Sequence, residues 1–122
     1  MDISKTIAEL KKDPAFAQNV GMILVHNGVV RGWSRKEGQP EVTAVDISVD
    51  RAKLEALRRE YEQRPGIFRV VVEARDGHLQ VGDDVLFIVV AGDIRENVKP
   101  VLADLLDRIK AEAFKKQEIM LA

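Results

Sequence analysis

The chain contains no cysteine, which excludes disulfides, thiolate metal sites and a cysteine nucleophile and leaves no mark of an oxidising compartment. A cytoplasmic location is the expectation. Histidine occurs only twice, at His26 and His78, with no second histidine or carboxylate at ligand spacing beside either, so no metal site is expected. Met1-Asp2-Ile3-Ser4-Lys5 lacks the basic region and continuous apolar run of a signal peptide, and no stretch reaches membrane-spanning length, so the chain reads as soluble. Glycine-rich phosphate loops, nucleophile elbows and paired catalytic carboxylates are also missing. Although 32% of residues are charged, the net charge is only −1, so no global field would hold a nucleic-acid backbone. An anionic ligand would need a local cluster of cations.

With 122 residues the chain fits one domain, 1–122, large enough to bury most of its apolar surface. Asp2 can cap a short, peripheral helix carrying Ile3, Ile7 and Leu10, which Asp13-Pro14 ends. Val20 to Val30 reads as a central strand covered on both sides except at His26 and Asn27. Arg31 to Pro40, with two glycines, a proline and three basic residues, reads as an exposed, mobile loop that places Trp33 as a lid or partner contact. Val45, Ile47 and Val49 alternate with Asp46 and Ser48, predicting a strand with one wet face; Asp50 can cap the helix of Leu54, Leu57 and Tyr61. Two further strands follow, around Phe68 to Arg75 and Val85 to Ala91, with turns at Asp76-Gly77 and Gly82-Asp83. Val98, Val101, Leu102, Leu105, Leu106 and Ile109 form the apolar stripe of a second long helix, and Phe114 to Met120 a last strand. The order β-β-α-β-β-α-β after a first helix predicts an α+β fold rather than a doubly wound one. Its strands would pair mainly through hairpins, in an antiparallel sheet covered by both long helices.

Three groups of cations could carry chemistry. Lys110 lies roughly 100° from the centre of the apolar stripe at 3.6 residues per turn, where it can lay its stem along the core and aim its ammonium into a cleft beside the last strand. The plainer reading makes it a cation favoured in a helix's last turn, with Lys115 and Lys116 as strand-edge charges. Arg31, Arg35 and Lys36 cluster around the glycine-containing loop, where a guanidinium can grip a phosphate bidentately or merely face solvent. Arg95 stands in the first turn of the last helix, a position that favours anions, or is a surface charge paired with Asp93.

Gly28-Val29-Val30-Arg31, Arg75-x-Gly77-x-Leu79-x-x-Gly82-Asp83, Asp107-x-x-Lys110 and Phe114-Lys115-Lys116-x-Glu118, in this order, resemble the large, catalytic subunit of molybdopterin synthase from Val20 to Ile119. The resemblance implies an α/β hammerhead-type fold and a homodimer of large subunits within a heterotetramer. It also implies a small β-grasp sulfur-carrier partner whose C-terminal Gly-Gly thiocarboxylate donates sulfur to cyclic pyranopterin monophosphate. The pterin is a substrate, so no resident cofactor and no metal are implied, nor nucleic acid or membrane as partners. By the same resemblance Lys110 and Lys116 would be catalytic, with Lys115 an alternative to Lys116, and Arg31, Arg95 and Arg75 would bind substrate. The family usually has His-Arg after the strand where this chain has Asp93-Ile94-Arg95. That departure motivates a second expectation, a non-catalytic paralogue acting as a scaffold for a β-grasp or cofactor-pathway partner.

Overall fold

The computed structural model describes residues 1–121. Its elements run α1 (Ile3–Lys11), α2 (Phe16–Asn19), β1 (Met22–Val29), β2 (Val42–Val49), α3 (Arg51–Glu62), β3 (Ile67–Ala74), β4 (Gly77–Gln80), β5 (Asp84–Gly92), α4 (Arg95–Glu112) and β6 (Phe114–Met120). The helix starts follow capping chemistry: Asp2 Oδ1 accepts from the Lys5 N–H and Asp50 Oδ1 from the Lys53 N–H, each at 3.0 Å, satisfying donors that a first helical turn leaves orphaned. The fold is α+β, as the order of elements predicts.

The strands form two antiparallel three-stranded sheets, ordered β1-β5-β3 and β4-β2-β6. Among the described residues no two consecutive strands pair, so the expectation of hairpins in one sheet is corrected. The unbroken apolar run of β5 takes the centre of the first sheet and β1 takes an edge, the reverse of what the β-branched content of β1 suggests. At the entry to β1, a Cβ on Gly21 would lie 2.1 Å from the Asp93 carbonyl oxygen, so only glycine admits that approach.

Helices α3 and α4 cover one face of the first sheet. Leu54, Leu57 and Tyr61 meet Val98, Val101, Leu105 and Ile109 over Val70, Leu86, Ile88 and Val90. Across the other face, Asp13 holds Arg69 at 3.2 Å, Phe16 meets Phe68 edge-on, and the N-terminal ammonium reaches Glu73. The second sheet has its own small core of Val30, Val42, Val45, Ile47 and Leu79. Val49, Val85 and Phe114 pack against both cores, and the Asp50 N–H donates to the Ala113 carbonyl at 2.8 Å. The end of α4 is thereby fixed at the seam between the two sheets. Among the described residues no helix is long and apolar enough to cross a membrane.

A charged network ties α3 to the last turn of α4: Glu112 takes Arg108 at 2.7 Å and Lys53 at 3.1 Å, and Arg108 also reaches Glu60. Hydrogen bonds from Arg108, then from Lys53, hold the Glu112 carboxyl down to about 2. A carboxyl depressed by folding stabilises above its unfolded value and loses that contribution as pH falls through its folded one. Stability is therefore expected to fall between about pH 4.5 and 2. In Glu112→Gln that slope should be shallower, as read by denaturant unfolding at stepped pH; an unchanged slope would remove Glu112 from the account.

Candidate functional site

At the seam lies a cavity of about 310 Å³, open on one side, whose wall includes His26, Arg31, Arg35, Lys110, Lys116 and Glu118. Its apolar floor comes from Val45 and Ile47 of β2, Val85 and Leu86 of β5, and Phe114. Each cation is delivered by a distinct local cause. Lys110 stands in the last turn of α4, aligned at four-residue spacing with the half-buried Leu102 and Leu106, so its stem runs beside the core while its head stays wet. Phe114, Lys116 and Glu118 share one face of β6 because side chains alternate along a strand, and Phe114 packs inward. Lys116 sits opposite Ile47 in the ladder.

Arg31 lies two residues beyond the end of β1, and its guanidinium stacks 4.9 Å from the centre of the exposed Trp33 ring. The segment carrying Arg31 and Arg35 is not free, in contrast to the mobile loop its composition predicts. Ser34 is fully buried; its hydroxyl donates to Glu118 Oε1 at 2.8 Å and accepts from the Lys36 N–H at 3.2 Å. Trp33 also bridges to Glu41. Buried hydroxyls are expensive unless paired, so Ser34 clips the basic segment against β6.

Four cations against one carboxylate make the cavity locally positive in a chain of net charge −1. Lys116 shows the consequence: burial first, then Arg31, Lys110 and Arg35, push its ammonium below the ordinary lysine value, opposed by Glu118. Such a site attracts an anion.

The structure brings Arg31, Lys110 and Lys116 together. Lys115 points away on the alternate face of β6, opposite Ser48. Arg75 is exposed, with its Nη1 3.5 Å from the Asp84 carbonyl, and does not line the cavity. Arg95 pairs with its neighbour Glu96 at 3.3 Å and stands at the opposite end of α4 from Lys110, about 22 Å away at the helical rise. The pairing of Arg95 with Asp93 does not occur. Asp93 instead accepts from the Ile94 N–H at 2.6 Å and the Asn97 amide at 2.9 Å, which hold its carboxyl below the usual range. Three residues of the site were not given roles from the sequence: Ser34, Glu118 and His26. Strand parity from Phe114 points to Glu118; nothing local marks Ser34. Among the described residues no group of three or more histidine, aspartate or glutamate side chains is placed to hold a metal ion.

Residues 1–112 match the family model of the MoaE protein, a match that covers α1 to α4 and stops just before β6. A probable molybdopterin synthase of Haloferax volcanii is 29% identical over 118 residues, covering 93% of this chain and 45% of the relative. The chain thus spans about half the length of that curated relative. The molybdopterin cofactor biosynthesis protein E of Burkholderia multivorans ATCC 17616 superposes over 99% of this chain and 82% of its own, at 24% identity and a TM-score of 0.73. The complex of subunits 1 and 2 of molybdopterin-converting factor from Helicobacter pylori 26695 matches over 98% of this chain and 80% of its own, at 18% identity and a TM-score of 0.68. At such identities the two structures speak to the fold, and the family model to the sequence. Together they establish that this chain belongs to the MoaE family, that of the large subunit of molybdopterin synthase.

Proposed function

We propose that this chain, as one domain, serves molybdenum cofactor biosynthesis as the large subunit of a molybdopterin synthase. It would move sulfur from the C-terminal thiocarboxylate of a small β-grasp partner to cyclic pyranopterin monophosphate, twice, to build the dithiolene. The observation that carries this reading is the convergence of Arg31, Arg35, Lys110 and Lys116 on one cavity. Both reactants are anions, and a phosphate and a thiocarboxylate cannot share a pocket unless cations offset their repulsion. Arg31 and Arg35 offer planar forks to the phosphate. Lys110 and Lys116 orient the thiocarboxylate and stabilise the oxyanion that forms when its carbonyl carbon is attacked. Membership of the family supports the same reading, as does a fold shared with a complex of two molybdopterin-converting-factor subunits.

The reading carries with it a homodimer of large subunits, a heterotetramer with two small ones, and a cytoplasmic setting. The test mixes the purified chain with a thiocarboxylated small subunit and cyclic pyranopterin monophosphate, and follows the fluorescence of oxidised product. Product that requires this chain is the expected result. A silent reaction, beside an authentic large subunit that works with the same reagents, would leave the scaffold.

A further inference from the structure

His26 occupies a place that the roles above leave unused. Met22 and Leu24 of β1 face the main core, and by strand alternation His26 and Gly28 follow them on that face, where both line the cavity. Among the described residues, Nε2 of His26 is the buried side-chain nitrogen or oxygen that has no hydrogen-bond partner. Buried polar groups are nearly always paired, and an unpaired one costs free energy unless something else fills the gap. Gly28 makes the room: a Cβ there would stand 3.0 Å from Nε2.

The charges around the ring favour its neutral form. Lys110 comes from α4, Arg31 and Arg35 from the segment after β1, and Lys116 and Glu118 from β6, while β2 and β5 present Val45, Ile47, Val85 and Leu86. Glu118 is engaged by Ser34. Burial first, and Lys110 second, depress the His26 value below the ordinary 6.5. At neutral pH the ring is therefore a free base, its unpaired Nε2 buried in the cavity wall.

The reaction proposed above needs such a base. A thiocarboxylate that gives up its sulfur must replace it with oxygen, and water is the source. Once sulfur has displaced oxygen at a pterin carbon, the C–O bond breaking with its electron pair on the departing oxygen, carrier and pterin are joined as a thioester. We propose that His26 is a catalytic base for hydrolysis of that thioester, an inference that rests on the synthase reading. Water oxygen bonds to the carbonyl carbon while one of its protons passes to Nε2, and the carbonyl electron pair moves onto oxygen beside the lysine ammonium groups. Collapse of that oxyanion breaks the carbon–sulfur bond, the pair leaving on sulfur as thiolate. The carrier departs as a carboxylic acid that loses its proton to solvent.

The experiment compares the wild-type chain with His26→Gln and His26→Phe in the reconstituted reaction, with intact-mass detection of the carrier after short single-turnover times. Both variants should turn over about 10²-fold more slowly, with KM for the pterin unchanged and a carrier–pterin adduct accumulating. The wild-type rate should fall as pH drops through the His26 titration, and His26→Gln should lose that limb. Variants within threefold of wild type, or slow variants without adduct, overturn the proposal and leave the synthase reading standing. A silent wild-type chain overturns both. Because either variant could fold poorly, imidazole NMR of the intact wild-type chain, assigned against His78→Gln, supplies a separate criterion. His26 protonated at pH 7 overturns the proposal, and His26 neutral at pH 7 is the expected result.

Discussion

Lys110→Ala and Lys116→Ala each lose sulfur transfer, by about 10³-fold if the ammonium acts on the developing oxyanion, while folding is almost untouched. Both side chains are exposed enough that truncation removes little packing, and surface changes of this kind usually stay within about 0.5 kcal/mol. The four cations also repel one another, so loss of one relaxes the rest. At Lys116 that repulsion adds to burial, the larger cause, in lowering the ammonium value. The loss should fall mainly on kcat for Lys110 and Lys116. For Arg31→Ala it should fall mainly on KM for the pterin, since a phosphate grip acts equally in ground and transition states. Lys115→Ala, on the other face of β6, is the internal control and should keep wild-type turnover. Equal losses at Lys115 and Lys116 would mean that β6 presents a different face to the substrate.

That contrast between adjacent lysines shows what the sequence holds and where it stops. Phe114 faces inward, and the two-residue period of a strand then puts Lys116 and Glu118 beside it; the residues alone leave Lys115 as an alternative to Lys116, because which face of the strand is inward depends on the packing. Caps at Asp2 and Asp50 are legible in the sequence, because a side-chain oxygen three residues before an orphan N–H is a local matter. Strand partners are not local. Nothing within Met22–Val29 says that it pairs with Asp84–Gly92 rather than with the next strand, and β4, four residues with Leu79 alone buried, looks like part of a turn. Arg95 shows the limit of a local principle: a helix N-terminus does favour anions, but the cavity within this chain lies at the other end of α4. His26 reads as an exception in an apolar strand, since its importance comes from burial without a partner and only then from Lys110, a residue 84 positions away that lines the same cavity.

Leu105→Ala is expected to destabilise the fold by about 2–5 kcal/mol, the range for emptying a buried leucine site. Against a total stability of about 5–15 kcal/mol for a domain, that is a large share. Leu105 is fully buried between α3 and β5, in the line of Val98, Val101 and Ile109. Leu106 is only half-buried on the Lys110 side of the same helix, so Leu106→Ala should cost less than half as much. Denaturant midpoints measure both, and an unchanged m-value confirms that the unfolded reference is the same. The two substitutions also separate packing from chemistry. Leu105→Ala should lose activity only in proportion to the unfolded fraction, and ligands that bind the native cavity should restore it by mass action. Lys110→Ala should lose activity in a fully folded chain that no ligand rescues. If Leu105→Ala instead abolished turnover while its midpoint stayed near wild type, α4 would be positioning Lys110 through its core face rather than through its C-terminal anchor at Ala113.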